Sequence, residues 1–317
     1  MQQEFNRKSL SIIVPCYNES AIIEPSYDRV KTALGNGQIS DHEIIFVDDG
    51  SQDDSLIKLS DIARGDSRVK IISFSRNFGH QAAITAGLMN ASKDHAVIID
   101  ADMQDPPELI PEMMDIMRDK KCSVVYGVRR TRQKENVFKL LTAKLFYRVL
   151  NYLSDVKLPL DTGDFRLIDR SVLNAFRSFP EKNKYIRGLI SWVGFKQCPI
   201  YYDRSARIAG ETKYSMGKMV KLASTGVFYF SKKPLQLAIN LGFLSLLIAL
   251  SLIVYVVLAK ILVPSSTISG WASLLISVIF FGGVQLLTIG IIGLYIGNIF
   301  DETKARPPYI IDKTINL

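Results

Sequence analysis

The segment VIIDADMQDPP, Val97 to Pro107, sets an apolar run against two carboxylates, Asp100 and Asp102, with Ala101 between them and Gln104, Asp105 and a proline pair following. In an extended backbone residues i and i+2 point to the same side, so the two acids can approach one hard cation together. Mg2+ or Mn2+ takes carboxylate oxygens and keeps positions open for phosphate oxygens, as a nucleoside diphosphate requires. An isolated D-x-D is common by chance, so its weight comes from where it stands in the chain.

Three further segments repeat the plan. SLSIIVPCYNE is an apolar run stopped by Pro15, HEIIFVDDGSQDDS one stopped by Asp48, Asp49 and Gly50, and VKIISFSRNFG one stopped near Arg76. Between them apolar residues recur at helical spacing, Leu56, Leu59 and Ile62 in one stretch and Ala82, Ala83, Ala86 and Leu88 in another. Continuous apolar strands alternating with helices predict an α/β domain, a mainly parallel sheet covered on both faces. In such sheets ligands bind beyond the carboxyl ends of the strands. Four clusters fall at that edge: Tyr17-Asn18-Glu19, Asp48-Asp49-Gly50-Ser51, Arg76-Asn77-Phe78-Gly79-His80 and Asp100-Ala101-Asp102. Ordinary turns also put Asp, Asn and Gly at strand ends, but four clusters in register are harder to explain that way. The phosphate loop G-x-x-x-x-G-K-[ST] is missing, which counts against an ATPase.

The 317 residues are 48% apolar, and the apolar residues concentrate late in the chain. Residues 235–263 and 268–300 form two runs, each longer than the ~20 residues a helix needs to cross ~30 Å of hydrocarbon. Buried core helices are the alternative for such runs. Lys232 and Lys233 precede the first, Lys304 and Arg306 follow the second, and the connector around Pro264 is uncharged. The positive-inside rule then places residues 1–233 and the C-terminal tail in the cytoplasm. The N-terminus offers no signal-peptide core before Pro15. Cys16, Cys122 and Cys198 lack metal-ligand spacing and read as reduced thiols or small core residues. A net charge of +8 suits a nucleic acid or an anionic membrane, and the spans favour the membrane lipid over any nucleic acid.

PCYNE, VDDGS, SRNFGHQAA, DADMQDPP, TGDFRL (Thr162–Leu167) and RIAGETKY (Arg207–Tyr214) together resemble the family-2 glycosyltransferases of GT-A fold, the nucleotide-diphospho-sugar transferases. Within them the chain is most similar to the polyprenyl-phosphate glycosyltransferases, the dolichyl-phosphate mannose synthase and bacterial undecaprenyl-phosphate glucosyltransferase group. The likeness extends to the tail residues Lys304, Arg306, Pro307 and Tyr309.

The resemblance implies a donor-binding set of Pro15, Tyr17, Glu19, Asp48, Asp49, Arg76, Asn77, Gly79, Gln81, Asp100, Ala101 and Asp102, with Mg2+ or Mn2+ on Asp100, Asp102 and Gln104. Arg207 and Lys213 face the donor diphosphate or the lipid phosphate in this reading, where positive charge suits a leaving nucleoside diphosphate; a solvated basic loop is the alternative. The donor expected is a nucleotide sugar, UDP-linked rather than GDP-linked, with glucose first, and the acceptor a polyprenyl phosphate. Asp164 of TGDFRL is the base or an orienting carboxylate, together with Asp102, Arg207 and Lys213 in the catalytic set. A phosphate monoester is largely anionic at neutral pH, with a second pKa near ~6, so a strong base is less necessary.

Arg129, Arg130 and Arg132, a basic group after CSVVYGV, match a phosphate acceptor or a solvated face, and Arg166 joins them in the acceptor set. Residues 138–153 and 216–233 combine apolar residues with lysine and arginine, as interfacial helices do. The first of these also fits a helix packed on the catalytic domain. Ser215, Met216 and Gly217 stand where many relatives carry proline and a basic residue, which leaves the acceptor side of that loop open.

The domain plan is therefore 1–215 catalytic, 216–233 juxtamembrane, 234–300 the spanning hairpin and 301–317 a cytoplasmic tail. Gly293 and Gly297 form a small-xxx-small pair that permits close helix approach, inside the hairpin or in a homo-oligomer. The alternatives to single-sugar transfer are a processive polysaccharide synthase, for which a Q-x-x-R-W motif is missing, and a membrane-anchored nucleotide-binding module.

Overall fold

The computed structural model describes residues 9–35, 39, 41–130, 162–182, 184–203, 231–262 and 270–317. Arg132, Arg207, Lys213 and the basic stretches 138–153 and 216–230 lie outside them. The described residues form two compact units, one holding those up to 203 together with 305–317, the other those from 231 to 304.

The first unit is built on an eight-stranded sheet. Its strands are β1 (Ser9–Cys16), β2 (Asp41–Asp48), β3 (Val69–Phe74), β4 (His95–Ile98), β5 (Val124–Arg129), β6 (Thr162–Asp169), β7 (Gln197–Tyr202) and β8 (Ile311–Ile315), in the order β7-β5-β6-β4-β1-β2-β3-β8. β1 pairs in parallel with β2 and β4, β2 with β3, and β5 with β7. β6 runs antiparallel between β4 and β5, and β8 antiparallel along β3. Of the six strands that run parallel, β1 to β4 are those legible as apolar runs, because a strand covered on both faces must be apolar throughout. All eight residues of β1 are buried.

Helices α1 (Ile23–Leu34), α2 (Ser55–Gly65), α3 (His80–Asn90), α4 (Ile110–Lys120), α5 (Arg170–Ser178) and α6 (Ile186–Trp192) join the strands. α1 and α4 each bury one stripe, Ile23, Val30 and Leu34 on the first and Ile110, Met113 and Met117 on the second, whereas α3 is buried all round from Ala83 to Leu88. Phe46, Ile12, Ile44, Leu59 and Ile71 are fully buried in the core, each such side chain contributing about 1.5–3 kcal/mol relative to exposure.

β1 outruns its neighbour. Its pairing with β4 ends at Ile13 opposite Ile98, whereas that with β2 continues to Cys16 opposite Asp48. Pro15, which lacks an N–H, therefore falls where β4 has already stopped. The chain order reverses between β4 and β1, the kind of switch point at which open α/β sheets bind ligands beyond the strand ends.

The second unit contains α7 (Lys233–Leu262) and α8 (Trp271–Thr303). Both are candidate membrane spans, with mean hydropathy 2.5 over Lys233–Tyr255 and 2.1 over Ile276–Thr303. Only 6% and 0% of those windows is buried, unlike core helices of a soluble protein. A Cβ built at Gly293 or Gly297 meets nothing within 4 Å among the described residues. Residues 305–317, read from the sequence as a tail, return to the first unit and supply β8.

Candidate active site

The loop after β1 is tied to the turn after β2. Asn18, at φ 51°, donates its N–H to Ser51 Oγ at 2.9 Å and accepts from Gln52 N at 2.8 Å, while Glu19 N donates to Ser55 Oγ at 3.0 Å. Tyr17 and Glu19 are half-buried on this rim. Asp48 is 1% exposed, accepting from Ser73 Oγ at 2.9 Å and from Ser51 N at 3.1 Å. Asp49 accepts from Phe78 N at 2.7 Å and from Gly79 N at 2.9 Å. The two acids thus tie together the loops after β2 and β3. Gly50 permits this, since at φ +69° its missing Cβ would lie 2.4 Å from the Arg76 carbonyl carbon. Arg76 and Asn77 are exposed, with the Arg76 guanidinium 4.0 Å above the Phe78 ring. Gln81, on the first turn of α3, accepts from Ile186 N at 3.2 Å and thereby holds the start of α6.

Asp100 and Asp102 do not lie on an extended strand, as the alternation argument requires. β4 ends at Ile98, and the acids sit in a turn closed by Met103 N donating to Asp100 O at 3.1 Å, with Met103 itself at φ 49°. A non-glycine residue in that region is uncommon, and such outliers concentrate at functional sites. Ala101 is buried, and Gln104 N donates to Asp102 Oδ1 at 3.2 Å. Asp100 Oδ1 and Gln104 Oε1 are both buried without a hydrogen-bond partner among the described residues. Two buried oxygens that make no hydrogen bond among the described residues, beside a second carboxylate, fit a hard divalent cation, which takes oxygen ligands. The described residues contain no group of three His, Cys, Asp or Glu that could hold an ion without further ligands.

Next to this turn lies a charged cluster. His80 Nε2 is 3.5 Å from Asp100 Oδ1 and 3.3 Å from Asp164 Oδ2. Arg187 on α6 grips Asp164 with two hydrogen bonds, Nε to Oδ1 at 2.6 Å and Nη2 to Oδ2 at 2.9 Å. Burial opposes charge on His80, but Asp164 and Asp100 outweigh it and raise its pKa to about 9. Burial raises Asp100 to about 6 against the pull of His80. For Asp164 burial is overcome by Arg187 and His80, which hold the carboxyl well below the usual range. Arg166 is 4% exposed, donates to Gly163 O at 3.0 Å and leaves its buried Nε without a partner among the described residues, with burial lowering its pKa to about 10. It therefore sits in the interior.

The basic residues at the end of β5 divide. Arg129 is held by Asp105, Nη2 to Oδ1 at 3.3 Å, and by Tyr202 through Nε at 3.3 Å, while the Tyr202 hydroxyl donates to Asp105. Gly163 makes room, since a Cβ there would meet Arg129 Nη2 at 2.9 Å. The Arg130 side chain is exposed. The structure thus brings together Asp100, Asp102, Gln104 and Asp164, with His80, Arg187, Asp105 and Tyr202 as partners that the sequence reading did not single out. His80 and Asp105 stand inside quoted motifs, whereas Arg187 and Tyr202 carry no local signal.

The family description "Glycosyl transferase family 2" matches residues 11–177. The chain is 48% identical over 307 residues to "Uncharacterized glycosyltransferase YkcC" of Bacillus subtilis (strain 168), covering 97% of this chain and 94% of that protein. It is 36% identical over 306 residues to the "Prophage bactoprenol glucosyl transferase homolog" of Escherichia coli (strain K12), covering 96% and 98%. A solved structure of glucosyl-3-phosphoglycerate synthase from Mycobacterium tuberculosis, in complex with Mn2+, UDP-glucose and phosphoglyceric acid, is 19% identical over 72% of this chain and 81% of that one, with a TM-score of 0.49. The chain belongs to glycosyltransferase family 2. It is a glycosyltransferase whose catalytic unit has the GT-A architecture that the sequence motifs imply.

Proposed function

We propose that this protein moves one glucose from UDP-glucose to a polyprenyl phosphate at the cytoplasmic face of a membrane, with Mg2+ or Mn2+ held by Asp100, Asp102 and Gln104. The observation that carries the reading is the set of buried oxygens just past β4, where β1 outruns it: Gln104 Oε1 has no hydrogen-bond partner among the described residues, and Asp100 Oδ1 makes no hydrogen bond there and meets His80 in an ion-pair contact at 3.5 Å. A cation there neutralises charge on the diphosphate of the leaving group. The bactoprenol and glucosyl terms in the name of the Escherichia coli relative support the same acceptor class and sugar.

In this reaction the anomeric carbon loses its bond to the diphosphate oxygen, which leaves with the electron pair as UDP. A lipid phosphate oxygen forms the new bond, with inversion. The attacking oxygen is already anionic, so no protein group has to remove a proton. Asp164 fits the orienting role better than that of a base, since both its oxygens are engaged by Arg187. Arg129, braced by Asp105 and Tyr202, and Arg130 supply cations for the acceptor phosphate, with Arg132, Arg207 and Lys213 adding charge in segments outside the described residues.

The cytoplasmic placement is supported by Lys232, Lys233, Lys304 and Arg306 flanking the two apolar helices, and the placement of both flanks in one compartment by chain connectivity. The sheet takes strands from both sides of the two apolar helices, as a hairpin with both ends in one compartment requires. Membranes containing the protein, incubated with radiolabelled UDP-glucose or GDP-mannose, undecaprenyl phosphate and Mn2+ and then extracted with solvent, test the proposal. Label in a lipid carrying one sugar, from UDP-glucose and abolished by EDTA, is the expected result. A growing polymer or label only in water-soluble sugar contradicts it.

A further inference from the structure

The segment that follows α8 reaches the loop beside the metal turn through a chain of side chains. β8 pairs along β3, from Ile71 opposite Ile315 to Phe74 opposite Ile311, and Ser75 N donates to Ile310 O at 3.0 Å. Tyr309 lies flat on Phe74, with ring centroids 4.9 Å apart and planes 12° from parallel. Phe74 is 3% exposed and meets Phe78 edge-on at 5.8 Å. Phe78 in turn carries the Arg76 guanidinium over its ring, and its N–H is held by Asp49 at 2.7 Å. Two residues on, His80 stands between Asp100 and Asp164.

We infer that Tyr309 is a positioning residue for the donor pocket, setting the 75–79 loop through Phe74 and Phe78. The inference rests on the donor reading above, because it makes Arg76 and Asn77 donor-facing residues. Their side chains are exposed, and the middle of this loop is anchored by the Asp49 acceptor and the aromatic base beneath Phe78, with its ends held by Ile310 O at Ser75 and by α3 at Gly79. A loop that is ordered in advance spends less binding energy on ordering when the ligand arrives. Removing the outermost ring leaves Phe74 open on one side and lets the loop relax.

The competing role for the segment is to cover the edge of β3, since an exposed strand edge must be paired or blocked. That role is served equally by Asn316, whose Nδ2 donates to Ala63 O at 2.8 Å and to Val69 O at 3.0 Å at the other end of β3. The two roles therefore separate by residue.

The test uses the full-length protein in nanodiscs, with Tyr309→Ala, Tyr309→Phe and Asn316→Ala variants. Binding of UDP with Mn2+ is measured by calorimetry, and amide exchange at Phe78 and Gly79 is followed without ligand. Tyr309→Ala is expected to weaken UDP binding about three- to tenfold, the scale of one lost aromatic pair, and to speed exchange at both amides. Tyr309→Phe keeps the stacked ring and should bind as wild type. Asn316→Ala should lower the melting temperature with UDP affinity unchanged. Unaltered affinity and exchange in Tyr309→Ala, or an equal loss of affinity in Asn316→Ala, overturns the inference. Should wild type fail to bind UDP while Tyr309→Ala still speeds the two amides, the donor reading falls and the link between tail and loop stands.

Discussion

Arg187 holds Asp164 by a two-point contact, Nε to Oδ1 at 2.6 Å and Nη2 to Oδ2 at 2.9 Å, with Asp164 only 5% exposed. A carboxylate bound in this way is a poor proton acceptor and a good anchor. Asp164→Asn should therefore reduce turnover at least tenfold while the affinity for UDP with Mn2+ stays within about twofold, as read by steady-state kinetics and calorimetry. Equal turnover of variant and wild type removes Asp164 from the transfer step.

The same pair sets a stability prediction. Asp164→Ala strands Arg187 beside His80 without its counter-charge, and breaking a buried pair costs about 3 kcal/mol, the low end of the usual range because Arg187 is partly exposed. Chemical denaturation should show this loss. Arg187→Met combined with Asp164→Asn should recover part of it.

Metal affinity should depend on pH through Asp100. Its folded pKa of about 6 lies above the ordinary 3.8, so the carboxyl takes up a proton as pH falls through 6, and a protonated acid is a weak ligand. Mn2+ binding in the presence of UDP, titrated at pH 7 and pH 5, should weaken at the lower value. His80 has the opposite consequence for the metal-free fold. Its pKa is raised from 6.5 to about 9, so the stability it lends is complete below 6.5 and is lost as pH rises through 9. Melting temperatures across that window should fall for wild type and change less for His80→Gln.

Gly50→Ala should be destabilising on two counts. The residue stands at φ +69°, where a side chain costs about 1–2 kcal/mol, and the new Cβ would lie within 2.8 Å of the Arg76 backbone. The Asp49 contacts to Phe78 and Gly79 should loosen with it, so weaker UDP binding is expected beside the lower melting temperature.

The brace on Arg129 makes a prediction for the acceptor. Tyr202→Phe removes the hydroxyl that donates to Asp105 and touches Arg129 Nε, leaving a buried acid with one partner fewer at a cost of about 1–3 kcal/mol. The KM for polyprenyl phosphate should rise more than that for UDP-glucose. The reverse order contradicts the acceptor assignment.

Strands β1 to β4 were legible because burial on both faces leaves an unbroken apolar run, and α2 and α3 fall where Leu56, Leu59, Ile62 and the alanines repeat. The apolar helices begin and end within a few residues of the runs read from composition. β6 was recognised as the motif TGDFRL but not as a strand, since buried Asp164 and Arg166 interrupt its pattern and their partners come from elsewhere in the fold. β8 carries four exposed residues in five, so only its pairing with β3 identifies it. Asp100 and Asp102 sit in a turn and not on a strand, since the strand that the i and i+2 alternation assumed stops at Ile98. Arg187 lies 23 positions from Asp164, and nothing local marks such a pair.

Anomalous diffraction from crystals grown with Mn2+ and UDP addresses the central claim most directly. The proposal places the manganese peak on Asp100, Asp102 and Gln104, with the diphosphate completing its shell. A fully occupied ion and diphosphate bound away from those three residues would contradict it.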